Sequence, residues 1–167
     1  PAPRWPEFTG LDLDIAADGD AVVVQVGDDA VEFAVPGVLR APVELTRLDL
    51  LLGFSPGERG WALSVPSAHL EGPGFSTDLR LRVDMDAETG PQLQGAARVP
   101  GAEIEAAKAF WVINKMPPRV VSWLDRALGL GRIVDGSVVF RGNLRDWPFA
   151  ENQGRLEARL KLAGADL

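Results

Sequence analysis

The chain has 167 residues, 46% hydrophobic and 25% charged, with a formal net charge of −7. That is about one domain's worth of sequence, apolar enough to argue against wholesale disorder and too acidic to favour nucleic acid as a partner. Zero cysteines and one histidine remove disulfides, zinc-thiolate sites, cysteine nucleophiles and multi-histidine metal sites.

From the start of the chain, apolar residues alternate with polar ones. Leu11, Leu13 and Ile15 point one way, with Asp12 and Asp14 the other. Val22, Val24 and Val26 follow, then Val31, Phe33 and Val35. Leu48, Leu50 and Leu52 form the next set, and Trp61, Leu63 and Val65 the one after. The longest run sets Phe75, Leu79, Leu81, Val83 and Met85 against Asp78, Arg80, Arg82, Asp84 and Asp86. A period of two predicts strands with one apolar and one wet face. The links between them are too short for crossover helices, so the pairing is expected to be antiparallel. Asp18–Gly19–Asp20, Gly27–Asp28–Asp29, Pro56–Gly57, Gly72–Pro73–Gly74 and Thr89–Gly90–Pro91 supply the turns. The 18 glycines and 13 prolines fit this punctuation.

The period then lengthens. Ile104, Ala107 and Trp111 fall at helical spacing over 102–115, with Glu103 and Glu105 near the start. Pro117–Pro118 ends that helix, and Pro118 can open a second one whose expected buried stripe is Val120 or Val121, Leu124 and Leu128. Alternation returns at 136–142 and 154–162. The expected fold is mainly β: a curved antiparallel sheet forming an open groove, with a short helical hairpin inserted between strand groups. The expected organisation is a strand meander over 1–100, a helical hairpin over 101–132 and further strands over 133–167. The first residue is Pro and the last strand pattern lies near the end. The chain is therefore expected to be one unit of a longer polypeptide.

The block Met116–Pro117–Pro118–Arg119–Val120–Val121–Ser122–Trp123–Leu124–Asp125 is distinctive. It is followed by Gly131–Arg132–Ile133–Val134–Asp135–Gly136, Gly142, Trp147–Pro148–Phe149 and Gly154–Arg155–Leu156–Glu157–Ala158. This order resembles the YhdP family of AsmA-like proteins of the Gram-negative envelope, and the likeness extends back to about Gly10. The resemblance departs at Phe110–Trp111–Val112–Ile113, where the family commonly carries a tyrosine-leucine-proline step. It implies an internal periplasmic segment of a bridge that carries phospholipids along an apolar concave sheet face. Its membrane attachment would lie in parts absent from this chain. The implied partners are phospholipid acyl chains and neighbouring segments of the same chain, with no cofactor, no metal and no catalysis.

Under that reading the groove candidates are Val22, Val24, Val26, Phe33, Leu48, Leu50, Leu63, Leu79, Leu81, Val83, Val138, Phe140 and Leu160. Phe110 and Trp111 are candidates for lipid contact or gating from the first helix. The same alternation serves an ordinary closed core, so a structural or interaction scaffold of the cell envelope is the alternative. An enzyme acting on envelope glycans ranks third, because no carboxylate pair is marked by the sequence. His69 has no cysteine or Gly-x-Ser-x-Gly serine to activate. The aspartate-glycine turns lack the ligand spacing of a calcium loop.

Overall fold

The computed structural model describes residues 7–19, 21–28, 30–37, 39–111, 116–146, 149, 151 and 153–164. Asp20 and Asp29 of the expected turns, residues 112–115 of the expected first helix, and Trp147–Pro148 lie outside the described residues.

In chain order the strands are β1 (Glu7–Thr9), β2 (Leu13–Asp18), β3 (Ala21–Asp28), β4 (Val31–Ala34), β5 (Val43–Leu45), β6 (Arg47–Gly57), β7 (Gly60–Gly72), β8 (Phe75–Asp86) and β9 (Gly90–Glu103). Helices α1 (Ile104–Ala107) and α2 (Pro118–Ala127) precede β10 (Arg132–Asn143) and β11 (Arg155–Ala163). Eight strands form one antiparallel sheet in the order β11-β10-β9-β8-β7-β6-β3-β2. The fold is therefore mainly β, a curved antiparallel sheet that does not close on itself.

A single meander does not describe the first hundred residues. Strands β1, β4 and β5 leave the large sheet and form a small one of their own, in the order β1-β4-β5. Strand β3 consequently pairs directly with β6. The departure begins at Ala30, whose φ of 67° is unusual for a residue with a Cβ. The small sheet lies on the apolar face of the large one. Val31, Val43 and Leu45 meet Val26, Leu48, Val65, Ala68 and Leu70 in one buried cluster. Burying each Val or Leu of this cluster contributes about 1.5–3 kcal/mol relative to leaving it in water.

Two prolines sit well inside long central strands, away from the hairpin turns that Pro56 and Pro91 adjoin. Pro66 falls where the β7 register shifts against both neighbours, between Val65 and Ala68. Pro100 falls where β9 gains a residue against β8. Both are bulges, the positions where a strand tolerates a residue without an N–H. Each bulge switches the apolar parity of its strand. In β7 the inward set passes from Leu63 and Val65 to Ala68 and Leu70.

The hairpin turns are fixed locally. Pro73–Gly74 links β7 to β8, and Gly74 takes φ of 79°, as the third residue of a type II turn requires. The Asp86 carboxylate accepts the backbone N–H groups of Glu88 and Thr89, each at 2.9 Å. Those two bonds hold its pKa below the ordinary aspartate value. Buried Asn143, at the end of β10, donates to the Thr89 carbonyl at 2.5 Å and accepts the Arg145 N–H at 2.8 Å. Arg145 also donates to the Glu88 carbonyl at 3.0 Å. The β8–β9 turn is thus clamped by the end of the neighbouring strand β10.

The first helix is shorter than its spacing predicts. Four α residues give way to a 3-10 turn at Lys108–Phe110, and Trp111 is already extended at φ −67°, ψ 127°. Phe110 packs edge-on against Phe75 of β8, with ring centroids 5.0 Å apart. That contact and the aromatic residues favour the tight turn over a continuing helix. The second helix opens at Pro118 as expected, but none of its residues is buried. It is tied to the body by a bidentate pair from Arg40 to Asp125, at 2.6 and 3.1 Å.

The glycines of the distinctive block have a packing role. Phe149 is 9% exposed and adopts φ of 63°. Its ring lies against Gly142 and Gly154 and 5.5 Å from the ring of Phe140. A Cβ on Gly154 would stand 2.5 Å from the Phe149 ring.

Asn143→Ala should lower stability by about 1–3 kcal/mol in urea unfolding, because the buried amide is lost and the part-buried Thr89 carbonyl and Arg145 N–H lose their partner. Gly154→Ala should cost a similar 1–3 kcal/mol through overpacking, whereas Gly129→Ala, with open space at its Cβ and no positive φ, should not. Equal effects from Gly154→Ala and Gly129→Ala would contradict the glycine slot.

Candidate functional site

The register converts sequence alternation into continuous apolar rows across the sheet. One row runs Leu13, Val26, Leu50, Ala68, Leu79, Ala97, Val138 and Ala158, one residue from each of eight strands. A second joins Leu81, Gly95, Phe140 and Leu156, with Ile15 and Val24 at the far side. A third joins Ala17, Val22, Phe54, Leu63, Val83 and Leu93. Leu160 faces Gly136 and Val99 on the same side.

Twelve of the thirteen groove candidates therefore share one face of the large sheet. Phe33 is the exception. It lies on β4 in the small sheet, 4.9 Å from the ring of Phe8, and packs against the buried cluster. Val26 and Leu48 share the face but are core, at 3% and 2% exposure beneath the small sheet. Val22, Leu63, Val83, Val138 and Phe140 are half-buried and lie outside that cluster. The apolar face thus has a covered part over β3, β6 and β7 and a part that continues towards the hairpin ends and β10–β11.

Phe110 contributes to the covered part through Phe75. Trp111 instead receives the Arg40 guanidinium 5.6 Å from its ring centroid, the same guanidinium that holds Asp125. The groove candidates leave out Phe54, Leu93, Ala97 and Leu156, which also belong to this face, although Leu156 alternates in phase with Leu160. Their signal is the cross-strand register, and Phe54 and Ala97 are hidden by the glycines before them or by small size.

The opposite face is polar. His69 lies between two carboxylates, with Nδ1 2.7 Å from Asp78 and Nε2 2.9 Å from Glu71. The Asp78 bond first and the Glu71 bond second raise the imidazole pKa, against a smaller desolvation. A depression of about 620 Å³ opens beside it at the Pro66 bulge, reaching Gln25, Asp49 and Arg98. A second of about 460 Å³ adjoins it across Arg80. His69 is charge-paired with acids that need it protonated, and no serine or other nucleophile hydrogen-bonds to it among the described residues. No group of three metal-ligating side chains occurs among the described residues.

A pKa raised in the folded state stabilises the fold below the unfolded value near 6.5, and the contribution is lost as pH rises through the folded value. Melting temperature followed from about pH 5.5 to 8.5 should therefore fall more steeply for the native protein than for His69→Gln. Parallel pH profiles would contradict a stabilising imidazolium at this position.

The sequence model of the family described as YhdP protein matches residues 1–167. No curated protein and no solved structure matches the chain.

Proposed function

The chain belongs to the YhdP family of AsmA-like envelope proteins, and on that premise we propose that it is a non-enzymatic segment of a periplasmic bridge for phospholipids. The observation that carries the reading is the set of apolar rows crossing all eight strands. Exposing a sixteen-carbon acyl chain to water costs on the order of 12 kcal/mol, at ~0.8 kcal/mol per methylene. An apolar strip that runs perpendicular to its strands offers a path along which that cost is never incurred. Such a strip needs no catalytic group and no closed pocket. It needs the same parity on every strand.

The acyl path in this reading is the part of the face outside the buried cluster, lined by Leu63, Leu81, Val83, Val138 and Phe140. Headgroups would remain in water at the rim. Strands β2 and β11 are the outer strands of the sheet, and Leu13, Ile15, Leu156 and Leu160 on them are 50–66% exposed. Neighbouring segments of the same polypeptide would pair there and prolong the rows. No described helix is long and apolar enough to cross a membrane, and anchorage to the inner membrane would come from other parts of that polypeptide. A closed-core scaffold is favoured at one end only, where the small sheet covers Val26 and Leu48.

Photo-crosslinking residues placed at Leu63, Leu81, Val83, Val138 and Phe140 in the complete protein in cells should yield phospholipid adducts. The same probe at Gln25 or Ser137 on the polar face, or at buried Val26 and Leu48, should not. Equal labelling of both faces, or none anywhere, would remove the lipid path and leave the scaffold reading.

A further inference from the structure

The large sheet ends in two outer strands whose polar sides are opposite in charge. Among the described residues no strand lies beyond β2 or β11. Every residue of β2 is exposed, and β11 is exposed at all positions but Glu157 and Leu162. On the polar face β2 carries Asp14 and Asp18 and no cation. On the same face β11 carries Arg155, Arg159 and Lys161, with Glu157 as its one acid. Glu157 is held by the two arginines beside it. On the apolar face Leu13 and Ile15 of β2 and Leu156 and Leu160 of β11 stand in water.

The backbones match as well. The eight strands alternate in direction, so β2 and β11 run oppositely. A copy displaced along the sheet without turning over presents its β2 antiparallel to β11, with both apolar faces on one side. Gly72 and Phe75 close a two-residue turn as a hydrogen-bonded pair. Hydrogen-bonded and non-hydrogen-bonded positions alternate from there across both halves of the sheet. That alternation leaves the N–H and C=O groups of Leu13, Ile15 and Ala17 on β2 pointing away from the sheet. It does the same for Leu156, Ala158 and Leu160 on β11.

We infer that β11 of one molecule pairs antiparallel with β2 of a second copy. One register sets Leu13, Ile15 and Ala17 opposite Leu160, Ala158 and Leu156, and it brings Asp14 to Arg159 and Asp18 to Arg155. Opposite charges facing each other across a pair stabilise it, and like charges destabilise it. The charged pairs take the non-hydrogen-bonded positions, where side chains stand closer. A slip of two residues sets Glu157 opposite Asp14 in one direction and opposite Asp18 in the other. A slip of one turns the apolar set to the wet side. A single register therefore satisfies backbone, apolar rows and charge together. Each copy offers one edge of each kind, so the association is head to tail and open-ended, not a closed dimer. The neighbouring segments proposed above would use the same edges, and a second copy competes with them. The pairing does not depend on lipid occupying the face. Loss of lipid labelling would leave it intact, and loss of association would leave the lipid path intact.

Sedimentation velocity of the 167-residue protein should give a mass that rises with concentration past that of a dimer, and added KCl should lower it. Ile15→Pro and Ala158→Pro each remove an outward N–H, from β2 and β11, without taking one from the internal ladder. Each variant alone should be monomeric. Mixed, they should form a one-to-one dimer, because one keeps β11 and the other keeps β2. Circular dichroism checks that both are folded. The charge exchange carries the same test without touching the backbone: Asp14→Arg should weaken association about tenfold, and mixing it with Arg159→Asp should restore it. The chain has no cysteine of its own, so Asp14→Cys and Arg159→Cys in one chain should oxidise to disulfides between molecules. A monomer at every concentration overturns the inference. So does association that survives both proline substitutions, or a disulfide formed within one chain, which would mean that the sheet closes on itself.

Discussion

Everything in this molecule depends on the pairing register of the large sheet. Side chains alternate sides with a period of two, so a shift of one residue on any strand would move its apolar set to the wet side. Eight strands of different length and sequence nonetheless place Leu, Val, Ala or Phe side by side across the whole sheet. The turns set this register at the two ends of β8, through Pro73–Gly74 and the Asp86 carboxylate. The clamp from Asn143 and Arg145 ties the β8–β9 turn to β10, and so couples the two halves of the sheet. The apolar face and the polar face around His69 are the two sides of that same alignment.

The energetics divide the face in two. Over β3, β6 and β7 the small sheet seals a cluster whose members are almost fully removed from water. That cluster supplies the hydrophobic stabilisation, and side chains within it have no area left for a ligand. Elsewhere the apolar residues are shielded only by their neighbours in the row. Phe149, seated against Gly142 and Gly154, closes one corner of that region. The division explains why one stretch of alternating valines and leucines is core and another keeps apolar area in contact with water.

The strand pattern was legible in the sequence because alternation leaves a direct trace. The long run of β8 and the Leu48–Leu50–Leu52 set of β6 fall where their spacing places them. Assignment of strands to sheets was not legible. Val31 and Phe33 alternate as cleanly as Val22 and Val24, and nothing in the spacing says that the first pair belongs to another layer. Helix length was also lost, since the spacing of Ile104, Ala107 and Trp111 persists while Phe110 is drawn onto Phe75. The polar cluster at His69 joins residues nine apart through a hairpin, and the clamp from Asn143 to Thr89 joins residues 54 apart. Such neighbours exist only after pairing. The parity switch from Val65 to Ala68 was written in the sequence with Pro66 at the break, and it marks the bulge.

The bulge prolines also bear on how the sheet avoids errors while it forms. Pro66 and Pro100 each withhold an N–H from the backbone. At the bulge this costs nothing, because the ladder is already interrupted there. In a slipped alignment the proline would enter a regular position and leave a neighbouring carbonyl without its donor. The two prolines therefore act as register marks for strands whose apolar residues alone, repeating every second position, would accept a shift of two.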